Sequence, residues 1–286
     1  MPAEQRVEGV SKKLMELNPG FDGKTSKSWY ESSPPVVQDG NVSELHIFTD
    51  KVADLSPIRA LPELRQLDCS SRQNTIKTAH RLDLSPLNGM RIRSLRCVVG
   101  NVDLSTVKGL PRLSDLACFG GGITNLSPAS GMPLQRLTLS GNWELTSLEP
   151  LKGMPLTSLA FDNSQVADLS PLRGMSLTLL VCHVTKVADL SPLKGMPLEE
   201  LYCNQTLITD LSPLAGMKLK KLCFTPNPEL KGLQAIRQMN SLVEIGTAGD
   251  KMISSNEFWK QYDEGAFRSP RDLKPVTDVK SPEFQK

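Results

Sequence analysis

Apolar residues recur along most of this chain in one fixed order. Three consecutive segments, 156–176, 177–197 and 198–218, share the pattern L-x-x-L-x-(C/F)-x-x-(S/T)-x-(V/I)-x-D-L-S-P-L-x-G-M. Weaker copies in the same frame begin at seven other residues, and the spacing is 21 to 23 residues apart from one interval of 28. Such a period indicates a solenoid of stacked, similar coils. The weaker copies begin at Val42, Leu64, Ile92, Leu113, Leu134, Leu219 and Leu242.

Each half of the repeat unit predicts one structural element. The stretch L-x-x-L-x-C alternates apolar and polar positions at its end, which is typical of a short strand with one buried face. In the second half, Ser before Pro and a later Gly predict a capped helical turn that ends in the left-handed conformation. About ten residues separate consecutive strands, too few for an α-helix, so we expect 3₁₀ or irregular turns. The expected caps are Ser170, Ser191 and Ser212, and the expected left-handed residues are Gly174, Gly195 and Gly216.

One coil cannot fold alone. About six buried apolar side chains contribute roughly 1.5–3 kcal/mol each, whereas ordering about 21 residues costs roughly 1–2 kcal/mol per residue. Stability must therefore come from contacts between neighbouring coils. These considerations predict an α/β repeat fold. It is a right-handed leucine-rich-repeat solenoid, with a parallel β-sheet on the concave face and 3₁₀ or irregular turns on the convex face.

Both open ends of such an array need a cover. Apolar residues at helical spacing stop at Asn18-Pro19-Gly20, and Asp39-Gly40 then predicts the turn of a hairpin. Near the other end, Ser254 precedes an aromatic helical segment. The predicted organisation is an N-terminal cap of helix plus hairpin strand (1–41), repeats (42–250) with a polar insertion at 70–81, a C-terminal capping helix (251–266) and a flexible tail (267–286).

Charge and composition exclude several partner classes. The chain has 33 Lys+Arg against 31 Asp+Glu, so no concentrated basic face for nucleic acid is expected. No apolar run approaches the roughly 20 residues that cross a bilayer, and the N-terminal segment lacks the apolar stretch of a secretory signal. If Met1 is the native start, we expect a cytoplasmic monomer that binds neither nucleic acid nor membrane.

Six cysteines are present, and no two of them have the C-x-x-C spacing of zinc ribbons or redox motifs. Five occupy the third inward position of the strand, where other coils carry Leu or Phe, so they are predicted to be buried free thiols. Cys223 falls one place earlier, and the pattern predicts an outward thiol that is either reactive or passive. The five inward cysteines are Cys69, Cys97, Cys118, Cys182 and Cys203.

No metal, cofactor or catalytic site is predicted. His46 and His183 both fall at outward positions, but they lie six coils apart, about 29 Å at the strand spacing, so they cannot share a metal. Gly120-Gly121-Gly122 lacks the long helix and Lys of a phosphate loop and favours a turn. One acidic residue per coil, without a second carboxylate column, is predicted to accept hydrogen bonds from the turn backbone rather than to bind calcium. These residues are Asp168, Asp189 and Asp210.

The outward strand positions predict a docking surface, since they form the concave face of such arrays. Exposed Tyr, Phe and Arg are enriched at interface hot spots, whereas scattered exposed apolar residues alone would mean little. The 70–81 insertion is a second candidate, because loops on rigid scaffolds often make contacts; the alternative is a plain solvated loop. Four of the predicted partner-binding residues lie on two adjacent coils and form one cluster. The predicted residues are Arg96, Phe119 and Arg136, with the clustered Leu179, Val181, His183 and Tyr202.

The repeat unit resembles the short bacterial leucine-rich repeats of the internalin type over about residues 42–250. A narrower resemblance is to repeat regions that follow bacterial serine/threonine protein kinase domains, based on KLMELNPGFDG (13–23), KVADLSPIRAL (51–61) and NEFWKQYDEG (256–265). This resemblance implies a substrate-docking or partner-sensing accessory region. It does not imply kinase activity, because the sequence has no Gly-rich phosphate loop, no V-A-I-K lysine, no H-R-D and no D-F-G.

Taken together, these observations predict a non-enzymatic protein–protein interaction module that binds its partner through the concave face and uses no cofactor. The narrower resemblance implies that this module is accessory to a serine/threonine kinase. Two alternatives stay open. One is a secreted adhesin or invasion protein, which would need an export signal. The other is an inhibitor that covers the active site of an enzyme.

Overall fold

The structure is a computed structural model that describes residues 1–26, 34–70, 82–98, 104–120, 122–227, 229–248 and 251–267. The predicted insertion at 70–81, apart from Ser70, and the tail from residue 268 onward lie outside the described residues. The chain divides into two compact units, Met1–Thr138 and Leu139–Lys286. Both units are built from short parallel strands that alternate with 3₁₀ turns.

The first unit begins with a helix and an antiparallel hairpin, followed by repeats. Strand β3 pairs with β1 and β2 in the antiparallel sense and with β4 in the parallel sense, and the parallel order continues to β7. Its 3₁₀ turns cover Ser56–Ala60, Ser85–Leu87, Leu104–Gly109 and Ser127–Ala129. The elements are α1 (Ala3–Leu17), β1 (Thr25–Ser26), β2 (Val36–Gln38), β3 (Asn41–Phe48), β4 (Gln66–Ser70), β5 (Ser94–Val98), β6 (Asp115–Phe119) and β7 (Arg136–Thr138).

The second unit contains the most regular repeats. Strands β8 to β12 are parallel neighbours in chain order, and β13 returns antiparallel to β12. Its 3₁₀ turns cover Glu149–Leu151, Ser170–Leu172, Ser191–Leu193 and Ser212–Leu214. The elements are β8 (Ser158–Ala160), β9 (Leu179–Val181), β10 (Glu200–Tyr202), β11 (Lys221–Cys223), α2 (Leu233–Arg237), β12 (Glu244–Ala248), β13 (Lys251–Ser254) and α3 (Ser255–Asp263).

The core of each unit is a stack of leucines in register. Leu159, Leu180 and Leu201 lie directly beside one another on β8, β9 and β10, and all three have no solvent exposure. The residues on either side of each leucine are half-buried and face outward. The alternation that the sequence pattern predicts is therefore confirmed. The chain has the leucine-rich-repeat solenoid fold, with 3₁₀ turns where the pattern placed them.

Non-repeat residues cover the first coil. Helix α1 buries Val10 and Leu14, and Asn18 connects the end of this helix to the coil. The Asn18 side-chain amide donates to the carbonyl oxygens of Leu14 at 3.0 Å and Asp54 at 2.9 Å, while its oxygen accepts from the backbone of the same coil. One buried polar residue thus satisfies four backbone groups that the end of the array would otherwise leave unpaired.

The last coil is covered by α3. Ser254 begins this helix, and its hydroxyl accepts a hydrogen bond from the Glu257 backbone at 3.3 Å. Phe258 is fully buried, with its ring centroid 5.7 Å from that of Phe224 in the last regular coil. This tilted contact between two aromatic rings places a large apolar side chain against the open edge of the core.

The turns correct one prediction. Ser170, Ser191 and Ser212 do not cap their turns through their side chains. Instead, the aspartate two residues earlier accepts from the serine backbone N–H at 2.7 Å in each coil. The predicted role of these aspartates, tying down the turn, is confirmed. The reason is geometric, because a carboxylate two residues back reaches the N–H that the first residue of the turn leaves free. Asp54, Asp83 and Asn125 make the same bond in the first unit.

Replacement of Asp168 by Ala should lower the free energy of unfolding in a pH-dependent way. Hydrogen bonds from the Ser170 hydroxyl and backbone hold the pKa of Asp168 below its usual range. The ionised carboxylate is therefore favoured in the folded state. Its contribution is complete above the unfolded pKa of about 3.9 and is lost as the pH falls through the lower folded pKa. Thermal unfolding of wild type and variant at about pH 7 and about pH 2 checks this. An equal difference in melting temperature at both pH values contradicts it.

Three coils of the second unit hold a residue in the left-handed conformation just after the strand. Asn163, Val184 and Gln205 have φ of +55°, +53° and +53°. The N–H of Asn163 donates to His183 O at 3.0 Å, and that of Val184 donates to Asn204 O at 3.1 Å. Asparagine tolerates this conformation, but a β-branched residue crowds its own backbone there. Hydrogen bonds between coils therefore hold Val184 in a strained conformation.

Replacement of Val184 by Asn should stabilise the protein. The left-handed conformation costs an ordinary residue roughly 1–2 kcal/mol, so we expect a gain of about 1 kcal/mol in the free energy of unfolding. The reciprocal change, Asn163 to Val, should cost a similar amount. Urea unfolding of the two variants provides the measurement. A loss of stability in Val184→Asn would show that packing of the valine outweighs its backbone strain.

Candidate functional site

The predicted partner-binding residues fall into two groups, one in each unit. In the first unit, Arg96, Phe119 and Arg136 lie on adjacent strands β5, β6 and β7. We call these three residues the arginine patch. In the second unit, the other four lie on or just after β9 and β10. We call them the tyrosine patch: Leu179, Val181, His183 and Tyr202.

Two residues of the arginine patch, Arg96 and Arg136, line a shallow cavity. The Arg96 guanidinium lies 4.8 Å from the centroid of the Phe119 ring, in cation–π contact. Ala117 lies between Arg96 and Thr138 in the register of the three strands. Its small side chain leaves a gap in a row of larger ones, and a cavity of about 260 Å³ opens there. Arg136 on β7 lines this cavity.

Carboxylates balance the charge around this cavity. Asp115 forms an ion pair with Arg136 across the register of β6 and β7. Asp68 is almost fully buried and accepts from the Ser70 hydroxyl at 2.6 Å. The Arg136 side chain remains 67% exposed, so this pair adds little to stability. It does hold the guanidinium in one place on the outward face.

The tyrosine patch combines aliphatic side chains with a fixed phenol. Leu179 and Val181 are half-buried neighbours on β9, and Tyr202 lies beside Val181 in register. The Tyr202 hydroxyl donates to Glu200 Oε2 at 3.1 Å. Burial, with a smaller effect of this hydrogen bond, raises the pKa of Tyr202 to about 12. The phenol is therefore neutral at physiological pH and held along its own strand.

At the end of the strands, the His183 side chain of the tyrosine patch lies next to the carboxylate of Asp162. His183 Nε2 lies 3.7 Å from Asp162 Oδ2. Asp162 is nearly buried and also accepts from the Ser140 hydroxyl at 2.6 Å and the Asn163 amide at 2.8 Å. These bonds fix the carboxylate, and the imidazole of His183 remains partly exposed beside it.

His46 does not join the exposed outward face, which corrects the prediction. It has only 1% exposure and lies between β1 and β4. Its Nδ1 is 2.7 Å from the Ser26 hydroxyl, and its ring meets Phe48 edge-on at 4.5 Å. The repeat pattern could not reveal this, because β1 comes from the segment before the repeats and pairs with β3 only after the chain reverses.

The prediction for Cys223 is also wrong. This thiol occupies an outward register position between Tyr202 and Gly246, yet it is fully buried. A short side chain beside the much larger tyrosine ring does not reach solvent. The other five cysteines are free and buried, as predicted. A hydrogen bond with Cys69, followed by burial, raises the pKa of Cys97, and burial raises that of Cys182 to about 12.

Thiol-specific labelling should therefore be slow for all six cysteines in the native state. Thiolate is the reactive form, and burial both blocks access and disfavours ionisation. We expect Ellman's reagent to react only as fast as the protein unfolds. The exposed Ser176, changed to Cys, is the matched control and should react rapidly. Reaction of a wild-type thiol at the rate of this control would contradict the burial of the cysteines.

Neither a metal-ligand cluster nor a membrane-spanning helix is found among the described residues. No group of three His, Cys, Asp or Glu side chains among the described residues could hold a metal ion. No helix within these residues is long and apolar enough to span a bilayer. Gly121 of the triple glycine lies outside the described residues, while Gly120 and Gly122 have left-handed φ.

Comparisons with known proteins agree with the fold. No family model and no curated protein sequence matches the chain. Among solved structures, it is similar to internalin C2 of Listeria monocytogenes, with 29% identity and a TM-score of 0.54 over 74% of this chain and 88% of that chain. It is also similar to the internalin InlF of the same organism, with 22% identity and a TM-score of 0.54 over 87% of this chain and 78% of that chain. The chain therefore shares the leucine-rich-repeat solenoid fold of these two proteins.

Proposed function

We propose that this protein is a non-catalytic binding module that recognises a protein partner through the outward face of its strands. The internalin-like fold supports a role in protein–protein interaction. The observation that carries the proposal is the tyrosine patch. An aromatic ring fixed by Glu200 lies beside the exposed parts of two aliphatic side chains on the neighbouring strand.

Such a patch is suited to an interface hot spot. Tyrosine contributes a large contact area and loses little conformational freedom on binding, and here its hydroxyl is already bonded. Leu179 and Val181 provide an apolar contact next to the ring, on strands that the leucine core holds rigid. Binding would therefore cost little side-chain ordering.

Charges around the patch indicate the chemistry of the partner. Glu200 lies on one side of the apolar residues, and Asp162, with its fixed carboxylate, lies on the other. Complementary potentials favour opposite charge in a partner. We infer that the partner presents an apolar side chain with a basic residue next to it.

The arginine patch is a second contact region within the same proposal. Arg96 and Phe119 are already stacked, so the site is preorganised for a polar side chain that enters the cavity above Ala117. The segments that resemble kinase-associated repeats support a partner within a kinase pathway. That finer assignment rests on the sequence resemblance alone.

Changes in the tyrosine patch should weaken partner binding. We expect Tyr202→Ala and Leu179→Asp each to reduce affinity by about tenfold or more, since a hot-spot residue contributes at least about 1–2 kcal/mol. Affinity capture from a lysate of the source cells, quantified by mass spectrometry, provides the measurement. Arg173→Ala changes an exposed turn residue and serves as the control. A partner list unaffected by both patch variants would refute the proposal.

A further inference from the structure

One cavity of the second unit does not lie on the outward strand face. It has a volume of about 620 Å³ and is lined by the Gly-Met turns of two coils, 194–199 and 215–218, together with Lys220 and with Ser241 of the next coil. This is within the range of ligand-binding pockets, roughly 300–1,000 Å³. None of the residues assigned to partner binding lines it. We call it the lysine cavity.

An irregularity in the repeat lies beside this cavity. In the two regular coils, the next buried leucine follows two residues after Met196 and Met217. In the following coil, Leu242 follows three residues after Met239. The extra residue is accommodated in a turn at Asn240 and Ser241. Ser241 of this turn lines the cavity beside the two regular coils.

The floor of the lysine cavity is apolar. Met196, Met217 and Leu198 line it, and each keeps only a few per cent of its surface exposed. Methionine side chains adapt their shape to an incoming apolar group because they are unbranched and polarisable. No lining residue is aromatic, so there is no platform on which nucleic-acid bases could stack.

The rim of the lysine cavity carries three lysines, two of which form no ion pair within the described residues. Lys220 pairs with Glu199 at 2.7 Å. Lys194 and Lys218 are exposed and form no ion pair with any described residue. In addition, Ser241 Oγ is buried and has no hydrogen-bond partner within the described residues. The cavity therefore combines an apolar floor, an unsatisfied hydroxyl and two free ammonium groups.

We propose that the lysine cavity binds an acidic peptide segment of a partner protein. An aliphatic side chain of the peptide occupies the space between Met196 and Met217. Carboxylates on either side pair with Lys194 and Lys218. The two lysines come from different coils, so a peptide with several carboxylates around an apolar residue fits better than a ligand with one charge. This site is separate from the tyrosine patch and does not depend on the function proposed for it.

Titration of the full chain with two short peptides tests the proposal. The probe is an acetylated, amidated peptide of alternating Glu and Leu, and the reference peptide has Gln in place of Glu. Binding is followed by calorimetry and by the methyl resonances of Met196 and Met217. We expect the Glu peptide to bind at least about tenfold more tightly than the Gln peptide and to lose affinity as salt is added.

Lysine variants locate the contact. Lys194→Ala and Lys218→Ala should each weaken binding about threefold, and the double variant about tenfold. Lys152→Ala is the matched control, because Lys152 has the position of Lys194 in an earlier coil, lies outside the cavity and is near Glu149 at 3.9 Å. It should bind as wild type does. Tyr202→Ala should also leave peptide binding unchanged, which separates this site from the tyrosine patch.

Four results would overturn the proposal. The first is that neither peptide binds, and the second is that both bind equally, which would indicate an apolar groove alone. The third is a Lys152→Ala effect equal to that of Lys194→Ala, which would indicate unspecific charge attraction. The fourth is perturbation of methionine methyl groups outside the cavity, with Met196 and Met217 unaffected. All three lysines are exposed, so we expect the variants to keep the folded state. Unfolding curves of the variants check this.

Discussion

Contact between one coil and the next is the interaction on which this protein depends. Each coil contains too few apolar side chains to offset the entropy of ordering its own backbone. Its strand residues find hydrogen-bond partners on the neighbouring strands, and Leu159, Leu180 and Leu201 are buried by each other. The same dependence makes the terminal coils vulnerable. Asn18 and Phe258, which are outside the repeat pattern, are therefore as necessary as any leucine within it.

Inward and outward positions of each coil have different roles, which explains how a repetitive sequence can form a specific binding surface. The inward positions are restricted to leucine and to other residues that pack in the core, such as the buried cysteines. The Asp-Leu-Ser-Pro turn is also restricted, since its aspartate accepts from the turn backbone. Only the outward strand positions and the residues near the Gly-Met turn remain free to vary. Recognition by this protein must therefore use those positions.

Both candidate binding regions with a cavity lie where neighbouring coils differ from each other. Ala117 interrupts a row of larger outward side chains, and the space it leaves lies beside Arg96. The extra residue of one coil lies in a turn whose Ser241 lines the lysine cavity. In an array of similar coils, a partner can distinguish the coils by differences in their outward side chains and in the lengths of their turns.

The sequence by itself determined the fold, the strand positions, the 3₁₀ turns and the burial of five cysteines, because each follows from a periodic pattern that acts locally. It also placed Leu179, Val181 and Tyr202 on one outward surface, since register repeats with the period. Only the tertiary structure decided that His46 and Cys223 are buried. His46 is covered by a strand from outside the repeats, and Cys223 lies below a larger neighbour. Both outcomes depend on the side chains of the adjacent strands. The backbone strain at Val184 likewise depends on a neighbour, because hydrogen bonds to another coil hold this residue in the left-handed conformation. Periodicity specifies the position of a residue within its own coil, whereas burial and strain depend on the neighbours that folding brings beside it.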